Sequence, residues 1–222
     1  MIKHISVILD GNRRWAKLNN HDINYGYYVG AQKVIDLIND FNSLSINFLS
    51  LYVLSTENFK RDKQNLDPLL MVIFDFLKNK IYQLTNILKI DVDFIGDISI
   101  LKPEYIEVIN MFKQREHFNN KCVNFAINYG SIDETLRAIK QLNQENLEIT
   151  EDNLFSKLDT YKYGNPDIVI RFGKQIRLSN FMLLQSAYSE LFFIDKYWPE
   201  YTKEDIETIL LEFNNRKRTF GS

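Results

Sequence analysis

Residues 4–17 read HISVILDGNRRWAK, and the topology expected for the whole chain follows from them. The apolar run over residues 5–9 predicts a buried strand, and the Asp-Gly-Asn sequence of residues 10–12 favours a sharp turn directly after it. Helix-forming residues follow at 13–17. An aspartate therefore stands at the carboxyl end of a strand with a helix start behind it, at the edge where open α/β sheets bind their ligands.

This turn carries groups that suit phosphate. A helix start offers unpaired N–H groups and the positive end of the helix dipole. Arg13 and Arg14 add guanidinium groups that can bind phosphate bidentately. Asp10 cannot hold phosphate itself, and a carboxylate facing phosphate implies a bridging cation, usually Mg2+. The alternative is a plain strand–turn–helix corner with solvated charges, and the turn taken alone favours that alternative.

The composition indicates one globular domain over residues 1–222. Hydrophobic residues make up 45% of the chain, which is enough for a substantial core. The net charge of -2 argues against a nucleic-acid partner bound through its phosphates. The single cysteine, Cys122, excludes an intrachain disulfide and argues against a cysteine-rich zinc site. With neither a secretory signal nor an apolar run near the ~20 residues of a membrane span, a cytoplasmic protein is expected.

Predicted strands and helices alternate along the chain. This alternation predicts an α/β fold with a mostly parallel central sheet of about six strands, flanked by helices and joined by right-handed crossovers. Strands are expected at residues 5–9, 46–54, 90–95, 123–127, 167–170 and 191–194, and helices at 13–17, 29–42, 66–88, 103–118, 133–142, 181–189 and 202–218, with helix and loop over 147–163.

Polar residues follow four of the predicted strands: Asp10, residues 55–58, Asn128 and Arg171. Because the carboxyl ends of parallel strands share one edge, these side chains are expected to form one polar site. Residues 69–74 are apolar on nearly every helical face, which indicates burial or the wall of an apolar cavity, and periodicity alone favours plain burial. A polar site beside such a helix would suit a ligand with a charged head and an apolar tail.

Residues 4–17 also resemble the signature of the cis-prenyltransferases, the undecaprenyl diphosphate synthase family. Three further long stretches are similar to motifs of that family, and the matches run in order from His4 to Gly221. These stretches are STENFKR (55–61), RFGKQIRLSNF (171–181) and QSAYSELFF (185–193), with shorter matches at 95–97, 128–130 and 216–221.

The resemblance implies roles for individual residues. Asp10 and Asn58 would be catalytic, Asn58 by positioning substrate, since an amide is a poor base. Asp10 and Glu190 would hold Mg2+, although Glu190 taken alone is a solvated helix end. Contacts to substrate are implied for Gly11, Asn12, Arg13, Arg14, Trp15, Ser55, Thr56, Glu57, Phe59, Arg61, Arg171, Arg177, Leu178 and Ser179. Without the resemblance, the two arginines of the second stretch would be read as surface charge about as readily.

The activity implied is condensation of isopentenyl diphosphate with an allylic diphosphate such as farnesyl diphosphate. The product would be a Z-polyprenyl diphosphate such as undecaprenyl diphosphate, a cell-wall lipid carrier. Gly11, Asn12 and Arg14 would hold the allylic diphosphate, while Arg171, Arg177 and Ser179 would hold isopentenyl diphosphate. The growing chain would lie in an apolar tunnel beside the strand carboxyl ends, along Val53, Met71 and Val72. The family also implies a homodimer, and a long product makes peripheral membrane contact plausible.

The chain departs from the family pattern at several positions. Ile23 and Tyr27 stand where the family has Arg and His, which puts two contacts to the allylic diphosphate in doubt. The family loop Arg-Thr-Gly-Gly-Glu is RFGKQ here, so it loses a Gly and an acid and gains Lys174. Phe59 replaces a Trp, and Arg13 occupies a position that is often Gly. Activity is expected, with weaker or altered binding of the allylic substrate.

Two other functions compete with this one. A non-catalytic prenyl-lipid binder or accessory subunit of the same fold would explain the missing basic residues. Retention of both Asp10 and Glu190 argues against it, because a subunit without chemistry needs neither. A nucleotide-binding α/β domain is disfavoured, since the sequence contains neither GxGxxG nor GxxxxGK.

Overall fold

The computed structural model describes residues 2–60 and 63–216, with only the backbone at 63–65, and places strand β1 (His4–Ile8) at the centre of its sheet. All five residues of β1 are buried. It pairs in parallel with β2 (Phe48–Ser55) on one side and β5 (Ile168–Arg171) on the other. Both faces of such a central strand are covered, which explains why it reads as a continuous apolar run rather than an alternating one.

The described residues form a six-stranded, all-parallel sheet in the order β3-β4-β2-β1-β5-β6, which confirms the predicted fold class. The chain extends the sheet to one side of β1 first and to the other side later, so the carboxyl ends of β1, β2 and β5 frame a crevice. The remaining strands are β3 (Ile90–Ile95), β4 (Lys121–Tyr129) and β6 (Glu190–Phe193).

Helices cover both faces of this sheet. They are α1 (Asn12–Leu18), α2 (Ile23–Ser43), α3 (Thr56–Phe59), α4 (Lys63–Phe76), a π-helical segment (Leu77–Ile81), α5 (Tyr82–Leu88), α6 (Pro103–Lys113), α7 (Ser131–Gln144), α8 (Glu151–Ser156) and α9 (Lys203–Asn215). Short 3-10 turns occur at Ile98–Ile100, Tyr161–Tyr163 and Trp198–Glu200. Within the described residues, no helix combines the length and apolarity that a membrane crossing requires.

The two faces of β1 enter different cores, because successive side chains of a strand point to opposite sides. Ile5 and Val7 enter the larger cluster, which also holds buried residues of α2, α4, α6 and α9. Ile8 enters a smaller cluster with Tyr52 and Phe181. The same face of β1 carries buried polar groups nearer its start, described below with the stability of the molecule.

Helix α2 begins six residues before its predicted start. Gly26 lies in the part that the prediction missed and Gly30 in the predicted part, and both lie where α2 packs against α1. A Cβ on Gly26 would be 2.6 Å from the Asn12 carbonyl oxygen, and one on Gly30 would be 2.2 Å from the Asn12 side-chain oxygen. Asp22 caps the true start by accepting the Asn24 N–H at 2.7 Å. These glycines therefore allow two helices to touch.

Two predicted helices are wrong in extent or in kind. Residues 181–189 form turns, because Ser179, Asn180 and Met182 have φ of 50°, 63° and 45°, which no continuous right-handed helix accommodates. Helix α6 ends at Lys113, five residues early, and the Phe118 N–H donates to the Asp91 carboxylate instead. The predicted final helix is confirmed as α9 over its described part, with residues 217–218 outside the described residues.

Candidate functional site

The carboxyl ends of β1, β2 and β5 open onto a polar cavity of about 690 Å³. This confirms that the polar residues after these strands gather at one edge. Its lining includes Ile8, Leu9, Asp10, Arg14, Tyr52, Val53, Ser55, Glu57, Asn58, Arg171, Arg177, Ser179 and Asn180. Gly11, Asn12 and Arg13 line an adjoining cavity that shares Asp10 and Arg14 with the first.

Asp10 is held between two arginines. The Arg14 Nη2 lies 2.8 Å from its Oδ1, and the Arg171 Nη2 lies 2.9 Å from its Oδ2. Arg14 also donates from Nη1 to the carbonyl oxygen of Gly173 at 2.7 Å. The carboxylate is thus paired on both oxygens and lies at the floor of the polar cavity.

Arg171 is buried, and most of its donors are already used. Its Nη1 donates to the Arg177 carbonyl and, at 2.7 Å, to the Ser179 hydroxyl, while its Nε lacks a hydrogen-bond partner among the described residues. Arg177 itself is exposed, and its Nη1 donates to the Gln175 side chain at 2.7 Å. A buried unpaired donor is costly, so the loop after β5 has spare capacity for an anion.

The segment after β2 is shaped by a reciprocal cap. The Ser55 N–H donates to Asn58 Oδ1 at 2.9 Å, and the Asn58 N–H donates to Ser55 Oγ at 3.2 Å. These bonds fix the Asn58 amide at the wall of the polar cavity. Partial burial opposes ionisation of Glu57, but hydrogen bonds from its own N–H and from Ser55, Asn180 and Thr56 outweigh this and lower the pKa of its carboxyl.

An apolar cavity of about 70 Å³ adjoins the polar one, and Leu9 and Val53 line both. The helix face at Leu69, Ile73, Phe76, Leu77 and Ile81 forms one wall. Other lining residues are Asn12, Tyr27, Gly30, Ala31, Val34, Phe125 and Trp198.

The expected tail contacts are partly corrected by this lining. Val53 lies on the wall as predicted, whereas Met71 is 65% exposed on the outer face of α4. A helix turns about 100° per residue, so residues two apart face nearly opposite sides. Ile73, rather than Met71, faces the apolar cavity.

Glu190 lies at the opposite edge of the sheet from Asp10, which corrects the expectation that these two carboxylates of one chain share an ion. Glu190 is the first residue of β6, whereas Asp10 follows the last residue of β1. Glu190 is in register with Ile168, and Ile168 is in register with Ile5. Along the strand direction Asp10 is therefore about five residues beyond Glu190, or roughly 16 Å at ~3.3 Å per residue. A Mg2+ ion holds its ligands at about 2.1 Å. Glu190 instead accepts a hydrogen bond from Arg216 at 2.6 Å.

Several expected contact residues lie away from these cavities. Within the described residues, Trp15, Thr56, Phe59 and Leu178 line none of the cavities just described. Trp15 stacks on His21 and Tyr25, while Phe59 and Leu178 pack against the two cores. Arg61 lies outside the described residues.

Asn128 also lies away from the site, although it was expected there. Its side chain donates to the Asp97 carbonyl at 2.7 Å, on the β3 side of β4. The strand order explains this outcome, because β3 and β4 stand at the far end of the sheet from β5.

Two site residues, Tyr52 and Asn180, were not predicted from the sequence. Tyr52 donates toward the carbonyls of Tyr129 and Ser179 at 3.1 and 3.2 Å, and burial raises the pKa of its hydroxyl. Asn180 donates to Glu57 at 3.2 Å and accepts the Ile132 N–H at 3.0 Å. A tyrosine inside an apolar strand reads as core, so only the register of β2 could have revealed Tyr52.

Comparison with known proteins gives consistent matches over the whole chain. A model of the undecaprenyl diphosphate synthase family matches residues 8–221. The isoprenyl transferase of Treponema denticola is 37% identical over 225 residues, which cover 100% of this chain and 98% of that protein.

Two further matches extend the range of similar proteins. The tritrans,polycis-undecaprenyl-diphosphate synthase (geranylgeranyl-diphosphate specific) of Pyrococcus furiosus is 36% identical over 228 residues, which cover 99% of this chain and 86% of that protein. The crystal structure of lavandulyl diphosphate synthase from Lavandula x intermedia, in complex with dimethylallyl diphosphate, has a TM-score of 0.92 at 27% identity and covers 100% of this chain and 98% of that one.

Proposed function

This chain belongs to the undecaprenyl diphosphate synthase family, the cis-prenyltransferases, and from that membership we propose how its residues carry out prenyl transfer. It is an enzyme that transfers prenyl groups. The reaction condenses isopentenyl diphosphate with an allylic diphosphate and yields a Z-polyprenyl diphosphate. In our proposal the primer is farnesyl diphosphate, and the product is undecaprenyl diphosphate, a lipid carrier for cell-wall synthesis.

The observation that carries this proposal is the junction of a polar and an apolar cavity at Leu9 and Val53. A prenyl diphosphate has a charged head and a long apolar tail. The polar cavity holds Arg14, Arg171 and Arg177, which suit diphosphate. The apolar cavity adjoins these charges at Leu9 and Val53, so a head bound in the polar cavity can direct its tail into the apolar one.

The two substrates are assigned to different parts of the polar cavity. Gly11, Asn12, Arg13 and Arg14 hold the allylic diphosphate, because they lie beside Leu9 at the entrance to the apolar cavity. The loop after β5 holds isopentenyl diphosphate through Arg171, Arg177 and Ser179. The exposed guanidinium of Arg177 supplies donors there.

The chemical step forms one carbon–carbon bond. The allylic C–O bond breaks, diphosphate leaves with the bonding electrons, and the double bond of isopentenyl diphosphate attacks the allylic carbon. Loss of a proton from the adjacent carbon then creates the new Z double bond. Asn58, fixed by its cap with Ser55, positions isopentenyl diphosphate for this loss.

Magnesium fits the residues at the floor of the site. Mg2+ usually takes only one or two protein carboxylates and completes its shell with phosphate oxygens and water. Asp10 is the carboxylate in position to hold it, with a side chain about one-third exposed (32%) to the polar cavity. When bound, the ion would neutralise charge on the departing diphosphate. Asp10 must first release at least one of its two arginines.

A homodimer is the assembly we propose, following the family. Ile132 and Leu136 at the start of α7 are exposed, as are Leu183 and Leu184 in the neighbouring turns. The Leu183 N–H donates to Ser131 Oγ at 3.0 Å, so these segments form one apolar patch that a second copy could cover. Light scattering on the purified protein tests this. A long product would leave through peripheral contact with a membrane.

The decisive experiment measures incorporation of labelled isopentenyl diphosphate onto farnesyl or geranylgeranyl diphosphate, with and without Mg2+. Wild-type protein is expected to form extractable long-chain product that requires Mg2+. Asp10→Ala should lower the rate at least 100-fold, since it removes the carboxylate that holds the ion. Chromatography of the product gives its chain length, and the better primer identifies the allylic substrate.

The same experiment separates the enzyme from its rival. A protein that binds farnesyl diphosphate yet turns over none of the allylic primers would be an accessory prenyl-lipid binder. Ile23 and Tyr27 would then be the first positions to replace with Arg and His. Full activity of Asp10→Ala would instead contradict the role assigned to the carboxylate.

A further inference from the structure

The loop after β5 holds a lysine in a conformation that favours glycine. Lys174 has φ of 58°, directly after Gly173 with φ of 103°. Residues other than Gly, Asn and Asp rarely adopt positive φ, because their Cβ meets the backbone. In the motif that this loop resembles, Gly stands at position 174. The lysine therefore adopts a backbone conformation in which Gly would be less strained.

Gly173 places this loop in contact with Asp10 and Arg14. Its N–H donates to the Lys196 carbonyl at 2.7 Å, and its own carbonyl accepts from Arg14 at 2.7 Å. A Cβ at Gly173 would be 2.9 Å from both Cβ and Cγ of Asp10. Lys174 therefore starts from backbone that touches the Asp10–Arg14 pair.

The Lys174 ammonium and the Arg14 guanidinium lie against the same aromatic ring. The Lys174 Nζ is 5.0 Å from the centroid of the Tyr197 ring, and the Arg14 Cζ is 5.3 Å from it. The ring also packs on the phosphate-binding turn, since a Cβ on Gly11 would be 2.6 Å from Tyr197 Cδ1. Cation–π attraction holds both charges on this ring.

Lys174 is only weakly neutralised there. Its nearest carboxylate, Asp195, is 3.9 Å away with a side chain that is 93% exposed, and a pair of this kind contributes little. Arg14 already shares Asp10 with Arg171. Lys174 therefore brings a weakly paired cation to the same ring as Arg14, and such a cation suits an anionic ligand.

Relative to the family signature, the chain loses positive charge in α2 and gains positive charge in the loop after β5. Ile23 and Tyr27 are neutral where the family signature has Arg and His, and Tyr27 is buried on the wall of the apolar cavity. Lys174 replaces a Gly, and Gln175 replaces a Glu, so this loop is more positive by two charges.

We propose that Lys174 binds the diphosphate of the allylic substrate together with Arg14, with the Tyr197 ring holding both cations in place before substrate arrives. This inference rests on the proposed function and names a further residue that recognises its substrate. It locates the recognition of the allylic head on the loop after β5 as well as on the turn after β1.

The test is equilibrium binding of farnesyl diphosphate in the absence of isopentenyl diphosphate, with farnesol as the uncharged probe. Lys174→Asn removes the charge while keeping a residue that tolerates positive φ, and it should weaken farnesyl diphosphate binding about tenfold. Lys174→Arg should bind within about twofold of wild type. Farnesol binding should be the same in all variants, because the tail site is unchanged.

Matched variants make the outcome specific. Lys140→Asn makes the same charge change on the exposed side of α7 and should leave farnesyl diphosphate binding unaltered. Tyr197→Leu should weaken it, whereas Tyr197→Phe should not, since the ring and not the hydroxyl holds the cations. Lys174→Asn binding as tightly as wild type overturns this inference alone. Wild-type protein that binds no allylic diphosphate overturns the proposed function and this inference together.

Discussion

At the scale of single residues, the pairing of Asp10 with two arginines predicts how the site responds to a divalent cation. A cation approaching Asp10 meets the guanidinium groups of Arg14 and Arg171, each within 3 Å of one carboxylate oxygen (2.8 and 2.9 Å). Arg14→Ala should therefore tighten binding of Mn2+ to the substrate-free protein roughly tenfold, because it frees one oxygen and removes one repelling charge. Electron paramagnetic resonance of free Mn2+ measures this directly.

The neighbouring arginine supplies the control for that prediction. Arg13 is exposed and next in sequence, and Arg13→Ala changes the net charge equally without touching the Asp10 pairing. It should alter Mn2+ affinity by less than about twofold. Weaker Mn2+ binding in Arg14→Ala than in Arg13→Ala would mean that the guanidinium supports the metal site rather than blocking it.

The sequence motifs identified most of the residues at the site, but they did not show correctly which residues lie beside one another. Asp10, Asn58, Arg171 and Ser179 were expected at the sheet edge and lie there. Glu190 was predicted to stand directly before a strand, and it is the first residue of β6. In a parallel sheet that position is at the edge opposite Asp10, so the resemblance to the family motif, and not the strand prediction, led to the expectation of a shared ion.

At the scale of elements, the helical wall of the apolar cavity predicts a specific effect on product length. Ile73 faces the cavity from α4, and Ile73→Trp should fill space beside Val53 and shift the products to shorter chains. Met71 lies two residues away on the outer face and is 65% exposed. Met71→Trp adds the same ring to the same helix and should leave the product distribution unchanged. Chromatography of radiolabelled products compares the two variants, and equal shortening by both would contradict the assigned wall.

Hydrophobic periodicity found the strands and helices that have a local sequence pattern. It missed the helix boundaries that depend on contacts with distant parts of the chain. The strands β1 to β6 were all found, because each is a short apolar run between turn residues. The first six residues of α2 were missed, among them Gly26, which lies at the contact with α1. The apolar stretch of residues 69–74 left burial and a cavity wall as alternatives and favoured burial. Its pattern could not separate Leu69 and Ile73, which line the apolar cavity, from the exposed Met71.

At the scale of the whole molecule, a buried polar layer in the sheet predicts how stability depends on pH. His4 is fully buried, with its Nε2 2.7 Å from Ser50 Oγ and its Nδ1 3.0 Å from the Gly164 carbonyl. Asn124 donates to the same Ser50 at 2.6 Å. Burial lowers the pKa of His4 to about 4, from an ordinary value of 6.5. The imidazole is therefore neutral in the folded protein at neutral pH.

The direction of the effect follows from the two states. Between pH 6.5 and about 4 the unfolded chain binds a proton at His4 and the folded chain does not, so the free energy of unfolding falls as the pH falls. Urea unfolding at pH 7 and pH 5 should show a loss of about 2 kcal/mol from this group. His4→Gln should lose that part of the pH dependence. An unchanged pH dependence in the variant would assign the effect to other groups.

The position of β1 at the centre of the sheet also determines how long this strand waits for its second neighbour during translation. Asp10 is made early, but Arg171, which pairs with it, is 161 residues further along the chain. At ~5–20 residues per second, a ribosome needs roughly 8 to 30 s to cover that interval. Throughout that time the most buried strand of the protein has one neighbour missing. Nascent chains should therefore expose an apolar strand for many seconds. We expect chaperones to bind these chains during translation.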